Sequence, residues 1–258
     1  LYNCTTKRLQ QQFLRDFSYA SLIQGRANYP CGRVPSRWPE VTAEDCPRGQ
    51  ENQEGPGDLG ALSQSGRCTP DCPYGQARNR ALAADLATLN TAYFLTETQY
   101  SGRFIKRHPF ITIDEADLFE DNLLDHLALV ITQRDINEFG IGGPGRKTKF
   151  EDWTGWSDRA LRRVRGILGT LSTRGEWSTF SISELRRVRR LKRLSDKLLF
   201  FKEHVDENWI WEETPQHWSF KPVLVGEYAE SFWGANPESK FLLMSATILD
   251  FQQFEKEL

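Results

Sequence analysis

The chain has 258 residues, 39% hydrophobic and 26% charged, with a formal net charge of -2. That is the make-up of an ordinary folded protein, long enough for one large domain or a domain carrying insertions. No run of about eighteen apolar residues occurs, so no membrane-spanning helix is expected, and a nearly neutral chain excludes nucleic-acid binding through bulk positive charge. Leu1–Thr6 has no basic stretch leading into an apolar one, so no secretory signal is expected, and the expected location is intracellular, in cytoplasm, nucleoid or nucleus.

Residues 1–30 predict a strand end, a helix and a turn. Leu9, Phe13, Leu14 and Phe17 recur at helical spacing, and Thr6 is placed to cap the helix N-terminus. The string Gly25-Arg26-Ala27-Asn28-Tyr29-Pro30 then breaks the pattern.

Residues 31–75 are rich in Gly, Pro, Gln and Ser and poor in aliphatic side chains. So long a stretch without a core needs another source of order. Cys31, Cys46, Cys68 and Cys72 supply one, because four thiolates on a metal centre can replace a missing core. Their spacing, C-x14-C-x21-C-x3-C, lacks the two close pairs of a zinc ribbon. Wide spacing suits a [4Fe–4S] cluster equally well, and spacing alone leaves zinc and iron–sulfur both open. The fifth cysteine, Cys4, stands apart and reads as a small core residue.

Residues 76–92 have a helical composition. Pro109–Ile113 is a short apolar run ending in Asp114-Glu115-Ala116-Asp117, as when a buried parallel strand delivers acids to its C-terminal edge. In nucleotide hydrolysis such a carboxylate holds Mg²⁺, and a neighbouring acid orients or deprotonates the attacking water.

Residues 118–205 read as mainly helical. Ala160, Leu161, Val164, Leu168 and Leu171 share one face. A second helix begins near Ser181, with Ser181 and Glu184 at capping-box spacing and Leu191, Leu194, Leu198, Phe201 and Val205 at helical intervals. Residues 221–226 and 241–247 return to strand-like runs. The second ends in Ser245-Ala246-Thr247, whose hydroxyls are placed to bond the acidic motif and sense the nucleotide state. The fold class expected is α/β, interrupted by a Cys-rich segment and a helical one.

The two basic helices are the expected track for single-stranded DNA. The first carries Arg159, Arg162, Arg163 and Arg165; the second carries Arg186, Arg187, Arg189, Arg190, Lys192, Arg193 and Lys197. Such clusters neutralise phosphates, and Tyr29, Tyr74 and Tyr100 are candidates for base stacking.

In their order these motifs resemble the XPD/DinG family of superfamily 2 DNA helicases. Tyr2–Gln12 resembles motif Ia, Gly25–Cys31 the start of the iron–sulfur domain, and Cys72–Arg78 its end. Asp114–Asp117 resembles motif II and Ser245–Thr247 motif III. The resemblance implies a partial RecA-like P-loop NTPase helicase domain with iron–sulfur and helical arch insertions. It divides the chain into helicase domain (1–30), iron–sulfur domain (31–75), helicase domain (76–117), arch (118–205) and helicase domain (206–258).

The resemblance further implies an ATP-dependent helicase moving 5′-to-3′ on single-stranded DNA and opening fork or overhang duplexes. Asp114 would hold Mg²⁺, Glu115 activate water, Ser245 and Thr247 couple hydrolysis to movement, and Thr5 and Thr6 contact the DNA backbone. Tyr29, Arg186, Arg189, Arg190 and Arg193 complete the expected DNA contacts, and Cys31, Cys46, Cys68 and Cys72 the cluster ligands.

Two departures stand out. The family carries D-E-A-H where this chain has Asp117, and no G-x-x-x-x-G-K-[ST] phosphate loop is present. Gly140–Thr148 is the nearest string, but it has one residue too many and follows Glu138-Phe139 rather than an apolar strand, so it reads as a loop. The true phosphate loop is expected before Leu1. The competing expectations are a non-catalytic, metal-stabilised nucleic-acid-binding protein with degenerate helicase motifs, and a zinc-binding scaffold.

Overall fold

A computed structural model describes residues 1–31, 40–45, 71–144, 150–173 and 180–247. The chain divides into two units, Leu1–His126 with Val225–Leu258, and Leu127–Leu224.

The first unit is α/β. Its strands are β1 (Tyr2–Cys4), β2 (Ser21–Leu22), β3 (Ala87–Asn90), β4 (Phe110–Asp114) and β8 (Lys240–Met244). They form one parallel sheet in the order β2-β3-β1-β4-β8. Parallel neighbours require crossovers, here supplied by helices such as α1 (Lys7–Asp16), α2 (Pro73–Ala83), α3 (Thr91–Tyr100) and α4 (Arg103–Arg107). Leu89, Ile111 and Ile113 are fully buried from the sheet, with Phe94, Leu95, Phe104 and Ile105 from α3 and α4. Cys4 is buried as expected, and burial raises its thiol pKa to about 11, so it is an inert core residue.

Thr6 caps α1 as expected, accepting the Leu9 amide at 3.3 Å. The helical reading of 76–92 holds to Ala83 and again at Thr91 and Ala92, where α3 begins. Between them Ala87–Asn90 is β3, pinned between β2 and β1, and Asn90 caps α3 by accepting the Tyr93 amide at 3.1 Å. Composition favoured a helix, and burial between two strands overrode it.

The second unit pairs two long helices with a sheet that the sequence reading missed. Strands β5 (Leu129–Thr132), β6 (Trp209–Glu213) and β7 (His217–Pro222) form an antiparallel sheet ordered β5-β7-β6. Strand β7 ends at Pro222, and Gly226–Trp233 is helix α9 of the first unit. The strand expected over 221–226 is therefore displaced toward its N-terminus.

Helix α7 (Phe150–Ser172) buries Ala160, Leu161, Val164, Leu168 and Leu171, the face its spacing predicts. Helix α8 (Ile182–His204) starts at the expected capping box and buries Leu191, Leu194, Leu198 and Phe201. At the centre the fully buried Trp156 stacks on Phe220 at 5.0 Å between ring centres, with Phe201 at 6.2 Å. Helix α6 (Gln133–Phe139) ends at Gly140, whose φ of 64° suits a residue without a Cβ. The Gly140–Thr148 string thus opens after a helix, without the strand a phosphate loop requires; its last four residues lie outside the described ones.

Candidate active site

Strands β1, β4 and β8 are parallel neighbours and end at the same edge of the sheet. From β1 the chain runs toward β2 and β3, whereas from β4 it runs toward β8. Such divergence of connections at the carboxyl ends of neighbouring strands makes a crevice where open α/β sheets bind ligands. Asp114, the last residue of β4, stands at that edge.

Both oxygens of Asp114 are engaged. Oδ2 accepts the Tyr2 hydroxyl from β1, and Oδ1 accepts the Glu115 amide at 3.1 Å. Burial raises the Tyr2 pKa, and the adjacent carboxylate raises it further, so the phenol remains a donor. Its ring lies on Phe13 of α1, 3.9 Å between centres and 6° from parallel. Sequence reasoning recognised Tyr2 only as part of a DNA-contacting motif; the register Tyr2↔Thr112, two residues short of Asp114, is what brings it here.

Glu115 has φ 55° and ψ 49°, the one non-glycine residue at positive φ among those described. This conformation costs about 1 kcal/mol for a residue with a Cβ. Strain of this kind at the end of a strand is a feature of functional sites. It starts a 3₁₀ turn, Ala116–Leu118, closed by the Leu118 amide on the Glu115 carbonyl at 3.0 Å, and this turn carries Asp117.

Asp117 is the acid that the hydroxyls reach. Ser245 Oγ donates to its Oδ1 at 2.5 Å, and Thr247 Oγ1 donates to its Oδ2 at 2.5 Å. The Thr247 amide donates to Ser245 Oγ at 3.2 Å, which fixes the pair after β8. The two hydroxyls hold the Asp117 carboxyl below the usual carboxylate range. Ser245 and Thr247 thus meet the acidic motif at Asp117, whereas the Asp114 oxygens are bonded to Tyr2 and the Glu115 amide.

Of the four expected cluster ligands, Cys31 and Cys72 are described, and both are buried. Cys46 and Cys68 lie outside the described residues. Residues 29–31 and 41–43 pair in short antiparallel fashion, the Cys31 amide donating to Val41 O at 2.9 Å and the Ala43 amide to Tyr29 O at 2.8 Å. The Tyr29 and Tyr74 rings meet edge-to-face at 5.6 Å, the Arg26 guanidinium lies 5.1 Å from the Tyr74 ring centre, and the Tyr74 and Tyr93 hydroxyls are 2.9 Å apart. The two ends of the Cys-rich segment are therefore tied together by side chains flanking Cys31 and Cys72. Among the described residues no three His, Cys, Asp or Glu side chains are grouped to hold a metal ion.

The expected DNA contacts divide. Thr6 is occupied as a helix cap, with Thr5 half-buried beside it. Tyr29 packs on Tyr74 and accepts the Gln24 amide at 3.1 Å. On α8, Arg190 is bonded to Glu138, lies 3.8 Å from Asp135 and covers the Phe139 ring at 5.3 Å, tying α8 to α6. Arg187 joins the same acid at 3.1 Å. Arg186 and Arg193 are exposed, and Arg189 is half-buried. No helix among the described residues is long and apolar enough to cross a membrane.

A scan against protein-family models finds no match to this chain, and a search of curated proteins finds no significant relative.

Proposed function

We propose that this chain serves an ATP-dependent DNA helicase of the XPD/DinG type, its parallel sheet acting as a RecA-like motor domain. The observation that carries the reading is the Asp117 carboxylate bridged by Ser245 and Thr247 from the neighbouring strand end. Two strand-end motifs, 128 and 130 residues apart in sequence, meet there in the order the resemblance requires.

In this reading Asp114 would hold Mg²⁺, which would offset the phosphate charge, its carboxylate oriented by Tyr2 and by the Glu115 amide. Glu115 accepts a proton from the water attacking the terminal phosphate of ATP. The strained Glu115 backbone joins that acid directly to the turn bearing Asp117, so a change at the phosphate reaches Ser245 and Thr247 through three consecutive residues. Cys31, Cys46, Cys68 and Cys72 would hold a [4Fe–4S] cluster, which when bound supplies the order that residues 31–75 lack in apolar side chains. The polymer partner is single-stranded DNA at a fork or overhang.

The test is Glu115→Gln in the full-length protein. DNA-stimulated ATP hydrolysis is expected to fall by roughly 10²- to 10⁴-fold with nucleotide binding retained. An unchanged rate would sink the assignment.

A further inference from the structure

The second unit contains a cavity of about 260 Å³ lined by Gly140, Ile141, Gly142, Gly143, Trp156, Arg159, Ala160 and Arg163. It is smaller than the roughly 300–1,000 Å³ of pockets for drug-sized molecules, so it suits a compact group. Its chemistry is asymmetric. Trp156, Ala160 and Ile141 are buried and make an apolar floor, while Arg159 and Arg163, one helical turn apart on α7, are exposed residues.

The two arginines differ. Arg163 Nε donates to the Phe139 carbonyl at 3.1 Å, which fixes its guanidinium against the C-terminus of α6. Its Nη2 lies 3.4 Å from where a Cβ on Gly140 would stand, so the guanidinium sits against the Gly140 backbone. The Asp158 carboxyl, held below the usual range chiefly by Lys202 and Arg162, also feels the Arg159 charge. Nearby Arg162 is paired with Asp158 at 2.5 Å. Trp156 Nε1 donates to the Gly142 carbonyl at 2.5 Å and holds the glycine loop in place. That carbonyl is committed to the indole, so the Gly143 amide of the same planar peptide unit faces away from it.

We infer that this cavity is a binding site for a phosphate group, held by the Arg159 and Arg163 guanidiniums over the Trp156 floor. Guanidinium forks match phosphate oxygens in geometry, and an apolar floor lowers the local dielectric and strengthens the attraction. The site requires neither Mg²⁺ nor Asp114, so it stands apart from the ATP-hydrolysis reading. A free phosphate and the backbone of a nucleic-acid strand offer the same chemistry.

The experiment follows the Trp156 indole N–H resonance of the full chain as inorganic phosphate is added, and separately as an octathymidylate without terminal phosphates is added. Phosphate is expected to shift that resonance saturably. Arg159→Gln is expected to weaken the effect by roughly tenfold with the fold intact, since Arg159 is exposed on α7. Arg162→Gln is expected to leave it unchanged. A shift with inorganic phosphate alone identifies a free phosphate as ligand, and a shift with both, in competition, identifies a strand backbone; either supports the site. No shift with either probe, or equal binding by Arg159→Gln, overturns it.

Discussion

Thr247 Oγ1 donates to Asp117 Oδ2 at 2.5 Å, joining two residues 130 positions apart through the ends of two adjacent parallel strands. With Ser245 on the other carboxylate oxygen, Asp117 has both oxygens committed to one neighbouring strand end. In the proposed motor this is the contact through which hydrolysis at Glu115 becomes movement. The double variant Ser245→Ala/Thr247→Ala is therefore expected to retain ATP hydrolysis within about threefold and to lose at least roughly tenfold in duplex unwinding. Equal loss of both activities in a strand-displacement and phosphate-release pair of assays would reject the coupling role.

Tyr2 is expected to matter through its hydroxyl more than its ring. Tyr2→Phe keeps the stack on Phe13 and removes only the donor to Asp114. A hydrogen bond to a charged group contributes about 1.5 kcal/mol, so thermal or urea unfolding should show a loss of that order. In the full-length protein the same variant should raise the Mg²⁺ concentration needed for half-maximal ATP hydrolysis. A variant indistinguishable from wild type in both measurements would show that Tyr2 does not orient Asp114.

The second unit should be destabilised most by loss of Trp156. Its ring is fully buried against Phe220, Phe201 and Trp218. Trp156→Ala is expected to cost about 3–5 kcal/mol, visible as lost hydrogen-exchange protection across α7, α8 and β7. Protection unchanged in those elements would contradict this packing.

Acidification should loosen the tie between α6 and α8. Burial opposes ionisation of Glu138, but Arg190, Arg187 and Arg134 outweigh it and hold the pKa below the ordinary 4.5. A depressed folded pKa gives a stabilisation fully present above the unfolded value and lost as pH falls through the folded one. The group is part-exposed, so the contribution is about 1 kcal/mol or less. Glu138→Gln should therefore be less stable than wild type at neutral pH and converge with it below the ordinary glutamate range. A stability difference that stays constant down to strong acid would exclude the ionic tie.

Metal content distinguishes the two thiolate readings. Anaerobically purified protein is expected to hold about four irons and four sulfides per chain, with a broad visible absorbance lost in Cys68→Ser. Stoichiometric zinc without colour would replace the iron–sulfur reading with the zinc scaffold.

Local signals were legible wherever a few consecutive residues decide the conformation. The Thr6 and Ser181 caps, the buried faces of α7 and α8 and the apolar runs of β4 and β8 are set by near-neighbour hydrogen bonding and by periodicity, and each was readable. The acids and the hydroxyls could also be placed at strand ends, since an apolar run that stops at polar residues marks a sheet edge.

Tertiary structure decided the rest. Ala87–Asn90 is a strand because β1 and β2 flank it, although its surroundings favour a helix. The sheet of the second unit pairs Leu129 with Phe220 across 91 positions, a register no short window can hold. Arg190 reads as a DNA contact within its basic helix, yet Glu138 and Asp135 from α6 claim it. Asp117 is one acid among several in the sequence, and only the adjacency of β4 and β8 selects it as the partner of Ser245 and Thr247. The physical reason is common to all four: side-chain chemistry is written locally, but its partner is chosen by chain closure over many residues.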